Sequence, residues 1–235
     1  MTDEKGLEPK KDNTPVVYDP ILNEGMDALD PSEIIISRAL IQQAMSKRVQ
    51  DGKATQGQIL DSVDGTLLAE PQTPLEIICF HPVRQWIEFI DRGTGKADYL
   101  RTKEMTPENM NLEWEETTPD GVVKRNKALG YFFLIPSEIA ENTYFPRLAL
   151  FTRTSYKAGR KISTMQAKLK AAGRPLCTRV FKLCSLRVTN DKGTFNVFDV
   201  DSGRDATDAE VQAALRWKKV IMTGVEVHKK DEVPF

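Results

Sequence analysis

The sequence predicts a mostly β protein with added helices, an α+β chain built as an OB-like small barrel or a curved antiparallel sheet. Three observations predict it. Between residues 74 and 201, β-branched and aromatic residues recur in short runs separated by Gly, Pro, Asn and Asp. One continuous apolar run, "ALGYFFLIP", suits a central strand. Helical spacing is confined to two or three stretches.

The elements follow in chain order. Residues 1–31 hold four prolines, many charges and few large apolar groups, which predicts a flexible arm. Pro31-Ser32 opens an expected helix that runs through Ile36, Leu40, Met45 and Val49 to Gly52. "ATQGQILDSVDGT" is turn-rich and reads as a connector. "LEIICFHP" and "VRQWIEFI" read as two strands, "DRGTGK" as a turn and "ADYLRT" as a third strand. Residues 104–127 are polar and acidic, with a weak hairpin signal at "TPDGV"; they read as a long excursion from the sheet. "FPRLALFTR" is a further strand after the apolar run.

"TSYKAGRKISTMQAKLKAAGRP" then reads as a helix, capped by Thr154 or Ser155 and stopped by Gly173-Arg174-Pro175. Ile162, Met165, Leu169 and Ala172 share its core-facing side, with Lys157, Lys161 and Lys168 on another. Gly159 weakens it by about 1 kcal/mol relative to Ala. "CTRVFKLCSLRVT" and "TFNVFDVD" pair through the turn "NDKG". "ATDAEVQAALRWKKVIM" is a last helix. The expected division is an arm at 1–31, one OB-like domain at 32–222 and a flexible tail at 223–235.

The bulk numbers fit a soluble globular chain of 235 residues: 40% hydrophobic and 29% charged. No apolar run approaches the roughly 18 residues of a membrane span, so no membrane partner is expected. "MTDEKGLEPKKDNTP" has no apolar h-region, and three cysteines cannot all pair with one another; together these predict a cytoplasmic location.

The net charge of −1 conceals segregation. From Arg147 to Asn190 there are eleven basic residues and no acid, while residues 1–33 hold nine acids against three lysines. A local positive field of this kind suits a nucleic-acid partner; the alternative is a basic face balanced by acids folded beside it.

Strand alternation meets that charge twice. One side of "FPRLALFTR" shows Phe145, Arg147, Ala149, Phe151 and Arg153. One side of "CTRVFKLCSLR" shows Arg179, Phe181, Leu183, Ser185 and Arg187. Arginines neutralise phosphates and phenylalanines stack unpaired bases, so this mixture favours single strands. The expected contacts are Arg147, Phe151, Arg153, Tyr156, Lys157, Arg160, Lys161, Arg179, Phe181 and Arg187. The competing reading puts Phe151 and Phe181 in a core layer under a helix, with the arginines reaching the rim. Trp86 and Tyr131 are weaker candidates, their strands being less charged.

Signals for catalysis are thin, and no enzyme activity, cofactor or metal is expected. Cys79, His81, Cys177 and Cys184 lack zinc-site spacing, and "RGTGK" is too short for a phosphate-cradling loop. Asp199 and Asp201 offer the one alternative from another class, a metal-dependent nuclease. A virion or scaffold protein contacting packaged DNA is a third reading.

The chain ends "DEVPF": Asp231, Glu232, Val233, Pro234, Phe235. This resembles the C-terminal tip of bacterial single-stranded-DNA-binding proteins, which finish in acids followed by Ile-Pro-Phe. The resemblance implies that Phe235 and Pro234 anchor in a partner's apolar pocket while Asp231 and Glu232 meet basic groups at its rim. The sequence departs from that family in lacking a long Gly/Pro/Gln linker and in carrying Lys229-Lys230. The segment "FPRLALFTRTSYKAGRK" and the overall size look more like bacteriophage single-stranded-DNA-binding proteins, which have divergent OB folds with added helices. That resemblance, over residues 74–222, implies a coat for single strands in phage replication or recombination, working in the host cytoplasm. It also implies replication or recombination proteins as partners of the tip. A homo-oligomer is compatible with all of this.

Overall fold

A computed structural model describes residues 35–93, 97–191, 193–222 and 226–227. The expected arm at 1–31 and the tip Asp231–Phe235 lie outside the described residues. One 11-stranded sheet gathers β1 (Ile35–Ile41), β2 (Ile59–Asp61), β3 (Leu67–Ala69), β4 (Leu75–Asp91), β5 (Ala97–Glu104), β6 (Glu115–Thr118), β7 (Gly121–Leu134), β8 (Arg147–Thr152), β9 (Arg179–Asn190), β10 (Gly193–Asp205) and β11 (Glu226–Val227). Its main path runs β10-β9-β4-β7-β8-β1-β2-β3. The ends of that path do not pair, so the mostly β class with helices holds, as an open sheet rather than a closed small barrel.

The two longest strands organise everything else. β4 and β7 pair antiparallel from Ile78↔Leu134 to Asp91↔Val122. Each outlasts the strands that flank the pair and changes its outer partner along its length. β4 meets β9 at Leu75–Ile78 and β5 at Gln85–Asp91. β7 meets β8 at Ala128–Phe133 and β6 at Gly121–Lys124. The ribbon therefore has a basal half inside the main sheet and a distal half in a β5-β4-β7-β6 extension. The two strands expected at 75–90 are one, kinked by an irregularity between Cys79 and His81. Pro82 falls where β4 has only β7 beside it, the edge position at which a missing N–H is tolerated.

A helix covers each face of the basal half. α3 (Tyr156–Ala171) lays Ala158, Ile162 and Leu169 over Ile77, Cys79, Tyr131, Phe133, Ala149, Phe151, Phe181 and Leu183. Ala172, expected on that apolar side, is exposed beyond its end. A Cβ on Gly159 would stand 3.0 Å from the Cβ atoms of Leu129 and Phe151, so close helix–sheet approach accounts for this mid-helix glycine. α4 (Asp208–Met222) sets Ala213, Ala214 and Trp217 against Ile36, Ile78, Phe132, Leu134, Leu148 and Val180 on the opposite face. A capping box starts it: Glu210 accepts from the Thr207 N–H at 2.7 Å, and the Glu210 N–H donates to Thr207 Oγ1 at 3.4 Å.

The helix expected from residue 32 to 52 is instead β1, antiparallel to β2 and parallel to β8. The spacing of four between Ile36 and Leu40 satisfies a period of two as well as one of 3.6, and the Ile34-Ile35-Ile36 run favours a strand. Only α1 (Lys47–Gln50) is helical there, and Met45 is 80% exposed. The expected connector carries β2, and part of the expected tail joins the sheet as β11, parallel to β1. α2 (Pro136–Ala140) links β7 to β8.

Side chains blunt the outer edge of β10. The Gln43 carboxamide donates to Asn196 O at 2.8 Å and accepts from its N–H at 2.9 Å. Ser155, expected as a helix cap, accepts from the Phe198 N–H at 3.0 Å instead.

Candidate nucleic-acid interface

The two Arg-Phe strand faces are core. Phe151 is 0% exposed and Phe181 2%, both in the layer beneath α3, and Phe151 packs edge-on against Tyr131 and Phe198. Neither ring is placed to stack on a base, which corrects the expectation for both residues. Alternation assigned the faces properly within β8 and β9, but the face carrying Phe151 and Phe181 is the one the helix covers; Phe145, expected on that face, lies before β8 and packs edge-on against Trp217 of α4, centroids 5.0 Å apart.

Several of the expected cations are neutralised in place. Arg147 donates to Asp61 at 2.8 Å and to Glu138 at 2.7 Å, and Ser37 also donates to Asp61. Burial opposes its charge, but those two carboxylates outweigh burial and push the guanidinium pKa up. Lys161 donates to Asp199 at 2.7 Å and reaches Asp201 at 3.4 Å. Arg179 and Arg174 share Asp205 at 3.1 and 3.2 Å. Arg147, Lys161 and Arg179 are thus structural partners of acids rather than a free basic track. The same pairing engages the two carboxylates of the nuclease alternative. Arg187 is exposed on β9, away from these pairs.

A different cluster stays open to solvent. On one edge of β7, β6 stops at Lys124 and β8 begins at Ala128. In the gap lies a cleft of about 440 Å³, lined by Trp114, Asn126, Lys127, Arg153, Tyr156 and Arg160. Three cations and two aromatic residues line it, and no acid does. Arg153, Tyr156 and Arg160 from the expected set therefore meet here, with Lys157 exposed on the next helical position. Arg153, Lys157, Arg160 and Lys127 have no ion-pair partner among the described residues.

Local structure fixes each of these groups. The chain leaves β8 and turns abruptly into α3 at Arg153, whose φ of 47° is unusual for a non-glycine residue. Its guanidinium lies over the Phe89 ring, 5.1 Å from the centroid. Tyr156 opens α3 and Arg160 follows one turn later. Across the cleft, Trp114 is 56% exposed and stands edge-on against buried Trp86, with centroids 6.0 Å apart. Lys127 caps both rings at 5.1 and 5.8 Å, and Trp86 Nε1 donates to Asn109 O at 2.9 Å.

Arg125 holds the Trp114 backbone. Its N–H donates to Trp114 O at 2.7 Å, Nη1 to Glu113 O at 3.1 Å and Nε to buried Glu88 at 2.7 Å; Nη2 bonds Glu116. Arg101 also donates to Glu88, at 2.6 Å. Burial pushes against the Glu88 charge, yet the bonds from Arg125 and Arg101 prevail and lower its pKa.

Sequence reading missed Trp114, Asn126 and Lys127, because they lie in the polar stretch set aside as an excursion. The available signal was Trp114 itself, a large aromatic within "NLEWEE" that no strand or helix period explains. Cys79 and Cys177 are buried, and no group of three His, Cys, Asp or Glu side chains among the described residues is placed to hold a metal ion. No helix among them is long and apolar enough to cross a membrane.

The model of one protein family, described as Pam3 phage gp34-like protein, matches residues 10–225. Comparison with curated proteins and with solved structures finds no match.

Proposed function

We propose that this chain, which belongs to the Pam3 phage gp34-like family and is a phage protein, binds single-stranded DNA with little sequence preference during phage replication or recombination. The observation that carries this reading is the cleft, where Lys127, Arg153 and Arg160 stand free of acids beside Trp114 and Tyr156. Phosphates and unstacked bases are presented together only by an unpaired strand, and the cleft offers cations and rings together. A duplex hides its base faces. Beyond the cleft, Lys157, Arg160, Thr164 and Lys168 are exposed at three- and four-residue spacing, so α3 continues the positive track. The tip, Asp231 to Phe235, recruits replication or recombination proteins on this reading, which rests on its sequence alone.

Trp114 supplies the test. Titrating poly-dT into the protein should quench tryptophan emission, and the log of the affinity should fall with log salt by about 0.7 per phosphate neutralised. A parent protein that binds duplex as well as single strands, or binds neither, refutes the proposal.

A further inference from the structure

We infer that the bound strand has a second contact point on the opposite face of the β4–β7 ribbon, where Arg38 takes a phosphate and Tyr99 stacks a base; the inference rests on the single-strand reading above. Arg38 is the starting observation. Other largely buried arginines meet carboxylates: at Arg125 and Arg147 burial opposes the charge, but the bonded acids outweigh it and push the pKa up. Arg38 differs. Its Nε is buried without a hydrogen-bond partner, and its guanidinium has no ion-pair partner among the described residues. Burial pushes its pKa down, opposed by the Tyr99 phenol. A desolvated cation held without an acid is costly, and an orphaned donor of this kind fits an anion that comes from outside the chain.

Strand register connects this point to the cleft. Trp86 pairs with Lys127, and Lys127 caps Trp114, so these three share one face of the ribbon. Phe89, three residues after Trp86, points to the other face. There it pairs with Tyr99, their rings edge-on with centroids 6.3 Å apart, and Leu150 packs against its cluster. Arg38 pairs with Leu148, two residues before Leu150 and so on that same face. Arg153 joins the two sides: it lines the cleft, yet its guanidinium lies over the Phe89 ring. α4 covers the basal half alone, and Tyr99 remains 36% exposed. A strand that leaves the cleft round the β7 edge at Arg153 therefore meets a further ring and a further unpaired cation.

The experiment uses the full chain, with tryptophan quenching by poly-dT across a range of salt and thermal denaturation of each variant. Arg38→Met should reduce the salt slope by about 0.7, one phosphate. It should keep or raise the thermal midpoint, because a desolvated, unpaired charge is gone. Tyr99→Ala should weaken binding about tenfold at an unchanged midpoint, and Tyr99→Phe should bind as the parent does. A lowered midpoint in Arg38→Met assigns the arginine to a carboxylate of this chain and overturns the inference. An unchanged slope in Arg38→Met, or parental binding by Tyr99→Ala, overturns the second contact point while the cleft reading stands. A parent protein that binds no strand removes the single-strand reading and this inference with it.

Discussion

Phe151 and Trp114 are both aromatic residues close to arginines, Phe151 in sequence to Arg147 and Arg153 and Trp114 in space to Arg125, yet they have opposite fates. Phe151 lies on the basal half of the β4–β7 ribbon and is sealed beneath α3. Trp114 lies beside the distal half, past the N-terminus of α3, and remains largely open. The cations divide likewise. Arg147, Lys161 and Arg179 are matched by Asp61, Glu138, Asp199, Asp201 and Asp205, whereas Arg153, Arg160 and Lys127 face the cleft without acids. The difference teaches that side-chain chemistry on a strand does not decide whether a residue is open to solvent. The place where the covering helix ends decides it.

The comparison breaks most readily in the core. Phe151→Ala should cost about 3–5 kcal/mol of stability, read from urea denaturation, because it opens a cavity under α3. A variant that keeps parental stability and loses only DNA affinity would return Phe151 to the surface role.

Arg125→Met should cost about 2–3 kcal/mol, since it strips a near-buried carboxylate of one partner and frees the Glu113 carbonyl. It should also loosen Trp114, raising the mobility of its emission in anisotropy measurements. Unchanged stability and anisotropy together would remove Arg125 from its holding role.

Trp114→Ala should leave stability within about 0.5 kcal/mol of the parent and weaken poly-dT binding by about 1–3 kcal/mol. This is the mirror image of the Phe151 result, measured on the same two assays.

The cations give a smaller contrast. Arg160→Ala should reduce the salt slope by about 0.7 with little change in stability. Arg147→Met should lower stability and keep the slope. If the two variants behave alike, the division into paired and free cations has no functional meaning.

The smallest effect is in pH. The Glu88 carboxyl sits below its ordinary value when folded. Its contribution is therefore present above the unfolded pKa of about 4.3 and is lost as pH falls through the lower folded value. Urea midpoints between pH 6 and pH 3 should show that loss in the parent and less of it in Arg125→Met.

Much of the architecture was legible. The apolar run of β7, the β9–β10 hairpin, α3 and α4 are all where their periods place them, because each carries its own pattern over many residues. β1 was not, since a spacing of four fits both a strand and a helix until β2 and β8 arrive on either side. Of the site, Arg153, Tyr156 and Arg160 were found through charge, while Trp114, Asn126 and Lys127 were passed over for want of periodicity.

By itself the sequence determined which residues share a strand face and which segment is rich in positive charge, for both follow from local spacing and composition. Only the tertiary structure decided which face was covered and which cations met acids. Asp61 lies 86 residues from Arg147, and Asp199 lies 38 from Lys161. Contacts at that separation are set by where whole elements pack, and no local pattern encodes them.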